Sequence, residues 1–114
     1  MTDALRELEF VYTPLFEVAA ADLFDDEAMR HIELALLAEP RAGAVVAGTG
    51  GIRKLRAPLP GRGKRGGARV LYLYLEVRGR VYFLLAYAKN EQVDLTPAQK
   101  KALRGMVKHL EELG

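Results

Sequence analysis

Two long runs of β-branched and aromatic residues, Ala68 to Val77 and Arg80 to Ala88, meet at Arg78-Gly79. Runs of this kind around a glycine-containing turn predict a β-hairpin. Alternation is almost missing from them, because nearly every position is apolar. A hairpin that is apolar on both sides needs cover on both sides. This chain must therefore place other elements above and below one central pair of strands.

The remaining segments supply that cover. Leu8, Phe10 and Tyr12 alternate with Glu7, Glu9 and Val11, the period of a half-buried strand. Thr13-Pro14 reads as N-cap and first helical position, and Leu15, Phe16, Ala19, Ala20 and Leu23 follow at helical spacing. That helix should break near Phe24-Asp25-Asp26, where either aspartate can cap a second one. Met29, Ile32, Ala35 and Leu36 line one face of it, and Pro40 ends it. Ala44 to Ala47 is a short apolar segment. Ile52 to Arg56 reads as a strand with Lys54 and Arg56 on one face and Arg53 and Leu55 on the other. Ala57 to Gly67 is too rich in proline and glycine for a regular element and is read as a mobile basic loop. Thr96-Pro97-Ala98-Gln99 is a capping-box pattern, followed by the stripe Leu103, Met106, Val107 and Leu110 of a closing helix. The order is β-α-α-β-β-β-α. It predicts an α+β fold, a central antiparallel sheet with two N-terminal helices and one C-terminal helix, in one domain over residues 1–114.

Charge is sorted along the chain. Residues 1–40 hold ten acids against Arg6 and Arg30, while residues 41–80 hold ten Lys or Arg against Glu76 alone. The densest part is GTGGIRKLRAPLPGRGKRGGAR, from Gly48 to Arg69, with seven cations, seven glycines and no acid. Cations this close repel one another unless water or an anion offsets them, and glycine opens the backbone to a phosphate oxygen. A polyanion partner is the first expectation, nucleic acid the simplest form of it. No apolar run reaches the roughly 20 residues of a membrane span, and MTDALRELEF lacks the apolar core of a signal peptide. A cytoplasmic protein without a membrane partner is expected.

Several chemistries are poorly served. Gly61-Arg62-Gly63-Lys64-Arg65-Gly66 matches a dinucleotide fingerprint only formally, since it precedes a strand and opens no helix. Gly63-Lys64 is followed by Arg65, so it is no Walker loop. His31 and His109 stand far apart in predicted helices and read as surface residues, and no metal or other cofactor is expected. The chain has no Ser and no Cys to act as nucleophile. An RNA strand, however, carries its own nucleophile in the 2′-OH. Cleavage then needs a proton acceptor and positive charge for the pentacovalent phosphate. Arg53, Lys54, Arg56, Lys64 and Arg69 could supply these if the two strands that bear them are neighbours, and Lys89 could close the cluster. Tyr72, Tyr74, Tyr82 and Tyr87 read as core or rim residues of the sheet, and Thr49 and Asn90 as turn residues.

GTGGIRKLR, GRGKRGGARVLYLYL and VYFLLAYAKNEQVDLTPAQKKAL, in that order and spacing, resemble the RelE/HigB group of toxins from type II toxin–antitoxin systems. FVYTPLFE and the Pro40–Gly43 region resemble it too, so the likeness spans essentially the whole chain. The resemblance implies a small RelE-like domain and a metal-independent mRNA endonuclease that works on the ribosome. It implies Lys54, Arg56, Lys64, Arg69 and Lys89 as catalytic residues, with Arg53, Arg62 and Arg65 as further RNA contacts. It also implies a cognate antitoxin, of helix-turn-helix type, as partner, beside the ribosome and mRNA. Two other readings stay open on the sequence: a ParE-like inhibitor of DNA gyrase, and a non-catalytic RNA- or ribosome-binding module.

Overall fold

The computed structural model describes residues 7–59 and 67–113. Its elements are β1 (Glu9–Tyr12), α1 (Pro14–Ala20), α2 (Asp26–Ala38), β2 (Ala44–Val45), β3 (Arg53–Ala57), β4 (Ala68–Leu75), β5 (Arg80–Ala88) and α3 (Pro97–Glu112). One sheet holds all the strands in the order β1-β5-β4-β3-β2. The hairpin β4–β5 lies at its centre, joined by a single 3₁₀ turn at Glu76–Arg78. Gly79 closes that turn at φ 62°, a left-handed conformation that suits glycine.

The inner pairings are antiparallel, as expected, but β1 runs parallel to β5, so the sheet is mixed. Two helices and three strands separate β1 from β5, and no tight turn dictates their relative direction. The apolar segment after Pro40 contributes the short edge strand β2, which pairs with Arg53 and Lys54 only.

Both faces of the hairpin are covered. On one, Val70, Tyr72, Val81 and Phe83 pack with Phe16 and Ala20 of α1 and Ile32 and Leu36 of α2. On the other, Leu71, Leu73, Leu84 and Leu85 pack with Ile52 and with Leu103 and Val107 of α3. The helix ends follow the sequence signals. The Thr13 hydroxyl accepts from the Phe16 N–H and donates to the Phe83 carbonyl, so the cap also ties α1 to β5. Asp25 is the aspartate that caps α2. Thr96 and Gln99 form the complete capping box of α3. At the far end of α3 the Arg78 guanidinium donates to the Leu110 and Glu111 carbonyls, a cation at the negative end of a helix.

One irregularity decides what the second face carries. Leu71 pairs with Leu85, yet the next residue, Tyr72, pairs with Phe83. Leu84 is the extra residue of a β-bulge. Past the bulge the alternation of β5 is inverted, so Leu84 and Leu85 both point toward α3. Tyr87 follows Leu85 onto that face, where strict alternation from Tyr82 would have sent it to the other.

Candidate functional site

The antiparallel register of β3, β4 and β5 builds the site. Arg56 lies directly opposite Arg69, Lys54 opposite Leu71, and Arg69 opposite Tyr87. Ile52 is buried beneath α3, so the period of two puts Lys54 and Arg56 on the α3 face as well. Leu55 and Ala57 pack on the opposite face. Lys54, Arg56, Arg69 and Tyr87 therefore share one face of the sheet. Two arginines directly opposite each other across a ladder weaken it. A site that binds an anion gives such a pair a use.

Arg56 is exposed and Arg69 is half-buried, with one guanidinium N–H donating to the Ala68 carbonyl at 3.2 Å. The Lys54 ammonium lies 3.7 Å from a carboxylate oxygen of Asp94, in the connection between β5 and α3. Asp94 is held in place: it accepts from the Leu95 N–H at 2.8 Å, and its own carbonyl accepts from the Gln92 amide at 2.8 Å. The Leu95 N–H first, and then Lys54, hold the Asp94 carboxyl below its ordinary range. Tyr87 is only 6% exposed, and its buried hydroxyl has no hydrogen-bond partner. Burial raises its pKa, the Asp94 charge raises it further, and Arg69 lowers it. The phenol thus lies in the field of both the cation and the acid.

The other expected residues divide. Lys89 is half-buried one step beyond β5, and its N–H donates to the Gly67 carbonyl at 2.9 Å, which fixes it beside the start of β4. Gly67 has φ 57°, and a side chain there would meet the Ala57 carbonyl oxygen at 2.4 Å, so only glycine lets β3 and β4 close together at this end. Arg53 lies on the opposite face and donates to the Gly43 carbonyl at 2.8 Å and the Arg41 carbonyl at 3.2 Å. That geometry pins the loop after α2. Arg62, Lys64 and Arg65 lie outside the described residues, as does most of the basic loop.

The GTGG loop lies at the other end of β3. Its Thr49 is fully buried, donates to the Val46 carbonyl and accepts from the Ile52 N–H, closing a turn. Tyr72 is buried, Tyr74 lies beneath the Arg41 guanidinium, and Tyr82 receives a hydrogen bond from Arg80. His31 and His109 are exposed on α2 and α3. Among the described residues no group of three His, Cys, Asp or Glu side chains converges to hold a metal.

Sequence reasoning missed Asp94 and Tyr87 as members of this face. Asp94 looks like an ordinary residue before a helix cap, and Tyr87 reaches the face only through the bulge.

Comparison with known proteins bears on what this face is for. Residues 22–114 match the family described as the RelE toxin of the RelE/RelB toxin–antitoxin system. The chain belongs to the RelE toxin family. Its fold is also similar to that of a double arginine-to-alanine variant of the E. coli toxin RelE in the free state. That likeness has a TM-score of 0.50 at 14% identity, and it covers 75% of this chain and 87% of the other. The RelE fold is thus shared at low identity. The matched residues span β3, β4 and β5, the strands that carry the cationic face.

Proposed function

We propose that this RelE-family toxin is an mRNA endonuclease that acts on the ribosome in the cytoplasm, works without a metal, and is restrained by a helix-turn-helix antitoxin. The observation that carries the reading is the convergence of Lys54, Arg56 and Arg69 on one face, in a chain without Ser or Cys. The chemistry follows from what those residues can and cannot do. The 2′-oxygen of the scissile nucleotide attacks the adjacent phosphorus, and the bond to the 5′-oxygen breaks. A 2′,3′-cyclic phosphate forms upstream, and the departing 5′-oxygen takes up a proton. Arg56 and Arg69 flank the phosphate and offset the charge that builds on its equatorial oxygens. Lys54 adds a third cation. The Asp94 carboxylate engages Lys54, which leaves Lys64 and Lys89 as the lysines proposed to take the 2′-OH proton. Arg62 and Arg65 supply looser phosphate contacts.

The test is cleavage of a message on translating ribosomes, with intact and 2′-deoxy nucleotides at the scissile position. The expected result is cleavage of the first message only, insensitive to EDTA, with a cyclic phosphate or its 3′-phosphate hydrolysis product upstream. Cleavage of the 2′-deoxy message at an undiminished rate overturns the mechanism. Intact messages together with inhibited DNA gyrase would replace the function.

A further inference from the structure

We infer that Asp94 is a positioning residue of the cationic site, holding Lys54 aimed at the scissile phosphate at some cost in RNA affinity. The inference rests on the ribonuclease reading above and assigns a part to an acid that a polyanion site would otherwise exclude. A carboxylate facing phosphate repels it, so a site built only to bind RNA has no use for one here. Yet this one is fixed from two sides. The Leu95 N–H binds the carboxylate, and Gln92 binds the Asp94 carbonyl while also donating to Gln99 at 2.8 Å in the capping box of α3. The connection is in turn anchored by Leu95, buried against the sheet. Asp94 therefore meets Lys54 at a position set by α3 and the sheet, not by its own flexible side chain.

Among the described residues, the groups that face it are few. Lys54 comes from β3, the buried Tyr87 hydroxyl from β5, Lys100 from the first turn of α3, and Arg69 reaches the same phenol from β4. A lysine side chain has four rotatable bonds and loses orientation easily. A fixed carboxylate at 3.7 Å restricts it. Lys54 then acts in the transition state as a cation of defined position, when the negative charge on the equatorial oxygens is greatest.

Asp94→Asn separates this role from a structural one. The amide oxygen still accepts from the Leu95 N–H, so the turn and the helix cap survive and only the charge is lost. Two probes are used on programmed ribosomes: a message 2′-O-methylated at the scissile nucleotide, for affinity, and the unmodified message, for single-turnover cleavage. The variant is expected to bind the methylated message roughly threefold more tightly, as removal of one exposed charge allows. It should cleave the bound, unmodified message roughly tenfold more slowly, because alignment is lost. Asp94→Glu should recover most of the rate. In a Lys54→Gln background Asp94→Asn should change the rate less than about twofold, since both substitutions then act through one group. Full-rate cleavage by Asp94→Asn overturns the proposal, and so does an equal loss in the Lys54→Gln background. A wild-type protein that leaves ribosomal messages intact sinks the ribonuclease reading itself, and the proposal with it.

Discussion

Tyr72 and Tyr87 allow the same substitution to be made twice, with opposite expected results. Tyr72 is fully buried in the centre of β4. Its hydroxyl donates to the Pro40 carbonyl at 2.8 Å and accepts from the Gly43 N–H at 2.9 Å. Both partners are buried in the loop that leads from α2 to β2. Tyr72→Phe keeps the ring and removes one oxygen, which leaves a carbonyl and an N–H without partners. A buried polar group left unpaired costs about 1–3 kcal/mol, so the pair should cost about 2–4 kcal/mol after some relaxation. For a chain of this size that lowers Tm by roughly 8–16 °C. Tyr87→Phe removes a buried hydroxyl that has no partner to leave behind. It should change stability by less than about 0.5 kcal/mol, or raise it. Urea unfolding of both variants, followed by far-UV circular dichroism, provides the comparison. Equal destabilisation would refute the reasoning, because it would mean that the Tyr87 hydroxyl is satisfied or that the Tyr72 bonds contribute nothing.

Arg69→Ala is expected to abolish growth inhibition with the fold retained by circular dichroism, and to slow cleavage by roughly 10²–10³-fold, the scale for loss of one transition-state charge partner. Gly105 lies in the interior of α3, and a side chain there would meet nothing within 4 Å. Gly105→Ala should therefore stabilise the protein by about 0.5–1 kcal/mol, read as a shift of the urea midpoint at unchanged slope. The Asp94 carboxyl has a lowered pKa, so the stability it lends is present above its unfolded value, about 3.9, and is lost as pH falls through the folded one. Urea midpoints measured between pH 5 and pH 2 should show a smaller acid loss in Asp94→Asn than in the original chain.

Much of this fold could be read from local signals. Thr13-Pro14, Asp25 and Thr96 to Gln99 each define a helix start through contacts within four residues, and each does so here. The apolar hairpin forced cover on both faces, and the helices supply it. The parallel pairing of β1 was not legible, because no local feature of EFVY states which way its neighbour runs. β2 was equally hidden, since two residues carry no period.

The site was legible to the same extent and for the same reason. Lys54 and Arg56 separate from Arg53 by the pleat of a regular strand, and β3 is regular. β5 is not. Its bulge at Leu84 inverts every side chain beyond it, and neither neighbour of Leu84 in sequence differs from the leucines and aromatics of an unbroken strand. Counting from Tyr82 in steps of two places Tyr87 behind the sheet, away from the cations; the bulge places it between Arg69 and Asp94. A single unpaired residue thus decides which tyrosine meets the cationic face. Asp94 arrives by a longer route. It is 40 positions from Lys54, and what brings them together is the docking of Leu95 and α3 on the sheet. The cations on this face come from neighbouring strands and could be counted in advance. The acid among them is set by how a helix packs, and that belongs to the tertiary structure alone.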